Sequence, residues 1–153
     1  MIKLKDLLFK NEAPNIFVPR RIEDRFERMI KTYIRNGSKG NLSLSGLNLT
    51  KLPDILKDIS VDGSFDCGNN KLTSLINAPK SVISFYCGTN HLTSLEGAPT
   101  SVGGYFDCSY NELTSLEGAP TSVGGGFYCT DNPVKFTEEQ VRAVCDVKGT
   151  VYV

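Results

Sequence analysis

Apolar positions along the chain fall into two periodic regimes. Over residues 20–35 they recur at Ile22, Phe26, Met29, Ile30, Tyr33 and Ile34, the three-and-four spacing that lines one face of a helix. Pro19 fits its first turn and Gly37 its stop. Asp24/Arg28 and Glu27/Lys31 form favourable i,i+4 pairs on the opposite face. Beyond residue 41 the period lengthens to 20–21 residues. Phe65, Phe85, Phe106 and Phe127 are each followed two residues later by Cys67, Cys87, Cys108 and Cys129. Three positions further stand Asn70, Asn90, Asn111 and Asn132. The columns Leu72/Leu92/Leu113/Val134 and Leu75/Leu95/Leu116/Phe136 keep the same steps. Residues 92–104 and 113–125 are identical, LTSLEGAPTSVGG, so the chain is an internal repeat. One copy is a residue short, between Val82 and Phe85.

Each unit reads F-x-C-x-x-N-x-L-x-x-L and then returns through a Gly- and Pro-containing stretch. Phe and Cys two apart face one side of a short strand. The Asn falls where the chain leaves the strand, and its side-chain amide can bond neighbouring backbone, so stacked copies predict a ladder of amides. The return S-L-E-G-A-P-T-S-V suits an extended or turned path, because Pro and Gly interrupt any helix. A diverged first copy stands at Leu42-Ser-Leu44 with Leu49 and Leu52, and Leu47 replaces its Asn. Val151-Tyr-Val153 supplies a last strand, giving about six parallel strands. Thr137-Glu-Glu-Gln140 is a capping box opening a short helix through Val141, Val144 and Cys145. A lone unit buries too little to offset its ordering, so the copies must stack and be capped. The expected organisation is an N-terminal arm (1–18), a capping helix (19–37), about five repeats (41–136), and a C-terminal cap helix with the final strand (137–153).

This pattern resembles the leucine-rich repeat, with Phe and Cys at two positions that family usually fills with Leu. Over residues 42–136 the unit is similar to the short bacterial type found in secreted effectors of the invasion-plasmid-antigen class. Those effectors join the repeats to a ubiquitin-ligase domain with a catalytic Cys. Nothing in this chain matches that domain, so the likeness carries over a recognition surface alone. The whole chain, including KLKDLL, APNIFVPRR and NPVKFTEEQVRAVC, resembles small leucine-rich-repeat proteins encoded by tailed bacteriophages, a group with no established activity to transfer. The departures are Leu47 and the shortening at Ile83-Ser84. The resemblance implies an α/β repeat solenoid, a right-handed superhelix of short parallel strands with helical caps at both ends.

Composition narrows the function classes. A chain of 153 residues with 40% hydrophobic content fits one domain with a core, and global disorder is excluded. No apolar run approaches the ~18–20 residues of a membrane helix. The start Met1-Ile-Lys-Leu-Lys-Asp places charges where a signal peptide is apolar. The expected location is therefore the host cytoplasm or a virion, without membrane contact. The zero net charge hides a polarity: residues 1–40 hold 10 Lys/Arg against 5 Asp/Glu, and residues 41–153 hold 7 against 12.

Candidate chemistry is sparse. The cysteines have no CxxC or Cys–His spacing, and the single histidine, His91, falls in a turn, so neither metal nor cofactor is expected. The inward cysteine file reads as reduced thiols used as small core residues. No G-x-S-x-G elbow is present, and Gly124-Gly-Gly126 precedes a strand, so it is not a phosphate loop. Asp66 and Asp107, two repeats and roughly 10 Å apart, read as surface acids and not as a catalytic pair. No catalytic residue is assigned. Strand alternation instead lists an exposed face: Asp66, Tyr86, Asp107 and Tyr128 between Phe and Cys; Ser64, Ser84, Tyr105 and Gly126 before Phe; Asn69, Thr89, Tyr110 and Asp131 in the turn. Asp66, Tyr86, Tyr105, Asp107, Tyr110, Tyr128 and Asp131 are the candidate partner-binding residues, suited to a basic or mixed-charge protein. Arg20, Arg21, Arg25 and Arg28, with Lys31 and Arg35, have two readings: contact with nucleic acid or an acidic partner, or the solvated side of a capping helix. The second is favoured, and nucleic acid is not expected. The edge of the last strand could accept a second copy. The function expected is a non-enzymatic protein-interaction module, such as a phage factor acting on a host protein. The alternative is a structural part of a phage particle, and an enzyme ranks third.

Overall fold

The 3.6-residue and 20–21-residue periods sort the chain into one long helix followed by short parallel strands. The computed structural model describes residues 20–153, so Pro19 and the arm expected over 1–18 lie outside the described residues. The first helix, α1, spans Arg20–Arg35. It buries Ile30 and Tyr33 and lays Phe26, Met29 and Ile34 against the same core. Gly37, at φ +75°, ends it. The amide of Ser38 reaches back to the Tyr33 carbonyl and that of Gly37 to the Ile34 carbonyl, each at 3.0 Å, a Schellman closure that satisfies the last-turn carbonyls. The expected Asp24/Arg28 and Glu27/Lys31 pairs involve Asp24 and Glu27 side chains that also lie outside the described set.

Nine short strands follow: β1 (Leu42–Ser43), β2 (Ser64–Asp66), β3 (Ser84–Tyr86), β4 (Ser101–Val102), β5 (Phe106–Asp107), β6 (Ser122–Val123), β7 (Phe127–Tyr128), β8 (Asp146–Val147) and β9 (Val151–Tyr152). They form two sheets, β1-β2-β3-β5-β7-β9 and β4-β6-β8, with every pairing parallel. The six-stranded sheet was expected. The second sheet is a finding: the Ser-Val ends of two successive returns, Ser101-Val102 and Ser122-Val123, pair with each other, and the second pairs onward with Asp146-Val147. The register places Leu42, Phe65, Phe85, Phe106, Phe127 and Val151 in one row. The four Phe rings are fully buried, with centroids 5.5, 5.8 and 5.0 Å apart. The residue missing between Val82 and Phe85 leaves this row intact. Its effect appears in the other sheet, where Ser60–Ser81 is an isolated bridge and β4 pairs only with β6.

The buried asparagines form the predicted ladder. In each of Asn90, Asn111 and Asn132, Oδ1 accepts the backbone N–H of the Leu in the preceding copy, at 2.9–3.1 Å. Nδ2 donates to its own copy's Cys carbonyl and to that of the copy before, at 3.0–3.3 Å. Asn70 does the same toward the first copy, accepting from Leu47 and Leu49 and donating to Leu44 and Cys67. Leu47 can be apolar because it lies at the start of the ladder, where there is no earlier Cys carbonyl for an amide to satisfy. It is buried in the core instead.

The second helix, α2 (Glu138–Val144), opens with the predicted capping box between Thr137 and Gln140. Two apolar expectations are corrected here. Val134 and Val144 are 38% and 48% exposed. Val134 stands in the last copy of its column, with no further Leu stacked on it. In seven-residue α2, Val141 takes the inward position, and Cys145 just beyond the helix completes the buried stripe. A 3₁₀ turn at Asp54–Asp58, burying Leu56, had no counterpart in the sequence reading.

Candidate functional site

Parallel pairing of equivalent positions lines up the outward residues of the six-stranded sheet. Across the strands the middle row reads Ser43, Asp66, Tyr86, Asp107, Tyr128, Tyr152. Asp66, Tyr86, Asp107 and Tyr128 are half-buried, and Tyr105 and Tyr152 are about half exposed. The structure thus brings Tyr86, Tyr105, Asp107 and Tyr128 together and adds Tyr152. That last residue was overlooked, although Val151-Tyr-Val153 repeats the F-x-C spacing and so places its Tyr beside Tyr128. The rings of Tyr128 and Tyr152 stack with centroids 4.5 Å apart and planes 5° off parallel. Tyr105 joins Tyr128 at 6.3 Å and 52°. Burial, then the neighbouring Tyr152, Tyr105, Asp107 and Tyr86, push the Tyr128 hydroxyl above the usual tyrosine range.

The acids have local work as well. Oδ1 of Asp66 accepts the Gly68 N–H and Oδ1 of Asp107 accepts the Ser109 N–H, both at 2.9 Å, which fixes the chain as it leaves the strand. Asp66 Oδ2 also accepts from the Ser43 hydroxyl at 3.4 Å. Ser84, expected on the exposed row, is buried: its Oγ accepts the Tyr105 N–H at 3.0 Å. Asn69, Thr89, Tyr110 and Asp131 all take the left-handed conformation, φ 53–59°. This aims the exposed Tyr110 and Asp131 outward beside the strand face. Asn and Asp tolerate that conformation, whereas a β-branched Thr does not. Thr89→Asn is therefore expected to stabilise the protein by about 1 kcal/mol, measured as a raised urea midpoint at unchanged slope. A lowered midpoint would contradict it.

The basic cluster lies elsewhere. Arg28 is exposed on α1 and borders an open groove of about 420 Å³, which Met29, Tyr33, Lys39, Asn41 and Ser43 also line. The side chains of Arg20, Arg21 and Arg25 lie outside the described set.

The cysteines do not form a reactive centre. All five are free and buried. Burial lifts the thiols of Cys67, Cys87 and Cys108 far above the ordinary range, and brings those of Cys129 and Cys145 up to about 11. At neutral pH they are protonated thiols and poor nucleophiles. Among the described residues no group of three or more His, Cys, Asp or Glu is placed to hold a metal ion, and no helix is long and apolar enough to cross a membrane. The chain matches no protein-family model and no curated protein.

Proposed function

We propose that the chain is a leucine-rich-repeat solenoid that acts as a non-enzymatic protein-interaction module, gripping its partner with the exposed face of the six-stranded sheet. One observation carries this reading: Tyr86, Tyr105, Tyr128 and Tyr152 share a continuous outward surface with Asp66 and Asp107, and no outward position of these strands is Lys or Arg. Tyrosine gives large contact area at small entropic cost, and it is enriched where proteins meet. The acidic balance of residues 41–153 favours a partner of basic or mixed charge. The phage resemblance makes a host protein the partner of choice and the host cytoplasm the place of action.

Tyr86→Ala, Tyr105→Ala and Tyr128→Ala combined are expected to weaken partner binding by roughly a hundredfold or more. The check is affinity capture from host lysate with both proteins shown to be folded by circular dichroism. Retention of the same partner by the triple variant would refute the reading. A second reading rests on β9, the outer strand of its sheet, whose Tyr152 and Val153 are about half exposed. An open edge of this kind accepts another strand, which suits a structural component of a phage particle. Co-purification with particles, in place of capture from lysate, would favour it.

A further inference from the structure

Asp107 differs from the other carboxylates of the strand face in its neighbours and in its spare oxygen. Its register partners are Tyr86 on β3 and Tyr128 on β7, and Tyr105 lies two residues before it. Asp66, by contrast, has Ser43 on one side, and that hydroxyl occupies its second oxygen. Asp107 commits only Oδ1, to Ser109; Oδ2 has no hydrogen-bond partner among the described residues.

Gly126 sets the shape of this spot. A Cβ there would come within 3.0 Å of Tyr128 Cε2 and 3.2 Å of the Tyr128 hydroxyl. The ring therefore lies back over Gly126, toward Tyr105, and holds its outer side against Tyr152. The same column carries Ser64, Ser84, Tyr105 and Thr150 in other copies, so only this copy leaves the space for a ring. The result is a half-buried carboxylate flanked by three tyrosines, with no Lys or Arg at the outward positions of these strands.

We propose that Asp107, with Tyr86, Tyr105 and Tyr128 around it, receives an arginine side chain from a basic segment of the partner protein. The inference rests on the interaction reading given above. A guanidinium is planar: it can lie against a tyrosine face and at the same time donate an N–H in its own plane to Oδ2. A lysine ammonium offers the charge without the plane. Nucleic acid suits the rings but not the carboxylates, since Asp66, Asp107 and Asp131 oppose phosphate along the same surface. Gly126 is a positioning residue, acting only through where it lets Tyr128 lie.

The test titrates the full chain with the peptide acetyl-Gly-Arg-Gly-Arg-Gly-amide, with its lysine and citrulline counterparts, and with oligoadenylate RNA, following backbone amides by NMR. The arginine peptide is expected to shift residues 86, 105–107 and 126–128, and the lysine and citrulline peptides to bind at least about fivefold more weakly. Asp107→Asn keeps the acceptor for Ser109 and removes the charge. Gly126→Ser keeps every tyrosine and uses a residue two other copies carry in that column. Each is expected to weaken the arginine peptide about tenfold while amide shifts elsewhere show the fold unchanged. Equal binding of arginine and lysine peptides, indifference to Gly126→Ser, or RNA shifting the same amides would overturn the assignment. If the triple tyrosine variant loses its protein partner but the arginine peptide does not bind even at millimolar concentration, the arginine site falls and the interaction face stands. If the triple variant keeps its partner, both fall.

Discussion

Replacing Asn111 with alanine is expected to cost roughly 2–4 kcal/mol of folding stability, about 1–3 kcal/mol for the Leu92 amide left unpaired and about 1 kcal/mol for the net loss of the Nδ2 bonds. The residue is buried and makes four bonds. Its Oδ1 accepts from Leu92 at 3.0 Å, and its Nδ2 donates to Cys87 and Cys108 at 3.1 Å and to Ser109 at 3.3 Å. Alanine strands the buried Leu92 amide and takes from the Cys87, Cys108 and Ser109 carbonyls one of two donors each, leaving them Asn90 Nδ2, Asn132 Nδ2 and the Thr89 N–H. Equilibrium urea unfolding measures the loss, and a change below about 1 kcal/mol, a typical net hydrogen bond, would show that the ladder is not a main source of stability. Asn111→Asp separates donor from acceptor. It keeps the oxygen for Leu92 but turns a carboxylate toward three carbonyls, which raises its folded pKa above the unfolded value of about 3.9. A raised folded pKa means that the folded state holds the proton more tightly. The Asp variant is therefore least impaired below that unfolded value and loses further stability as pH rises through the folded one. Alanine at the same site has no such pH dependence.

The ladder also explains why so much of this fold was legible in the sequence. In a parallel sheet built from copies, equivalent residues become neighbours, so a column in the sequence becomes a row in space. Phe65 to Phe127 and Asn70 to Asn132 needed only their 20- and 21-residue steps to be placed. Burial of Phe and Cys, and exposure of the residue between them, followed from the two-residue alternation of strands. The missed features lack that periodic support. β4, β6 and β8 are two residues long, too short to show alternation; the Ser-Val pairs of β4 and β6 follow a Pro-Thr and read equally well as turn, and β8 is an Asp-Val pair just beyond α2. Ser84 is buried because its hydroxyl accepts a backbone amide of the next copy, a relation no spacing encodes. Val134 follows its column in sequence but stands at the end of the stack. On the candidate site, the tyrosines could be read from alternation. The lie of the Tyr128 ring depends on the missing side chain of Gly126 and on Tyr152, so the cluster is visible only in three dimensions.

Phe106→Ala is expected to destabilise the protein by roughly 3–5 kcal/mol, the range for truncating a fully buried aromatic side chain. Phe106 stands inside its row, with the Phe85 ring at 5.8 Å and the Phe127 ring at 5.0 Å. Truncation therefore opens a cavity on two interfaces at once, with the rigid rings on either side held in place by their own strands. Phe106→Leu refills most of that space and is expected to cost less than half as much. Where the damage travels is as informative as its size. If stability is a sum of repeats and nearest-neighbour contacts, hydrogen exchange should accelerate first at Phe85, Cys87, Cys108 and Tyr110, whose amides bond across the affected interfaces. Amides around Leu44 and Leu56, on the far side of β2, should keep more of their protection. A uniform loss of protection from Leu44 to Cys145 would instead mean that the chain unfolds as one cooperative block. Such a result would leave the sheet register untouched, but it would contradict a solenoid held together one copy at a time.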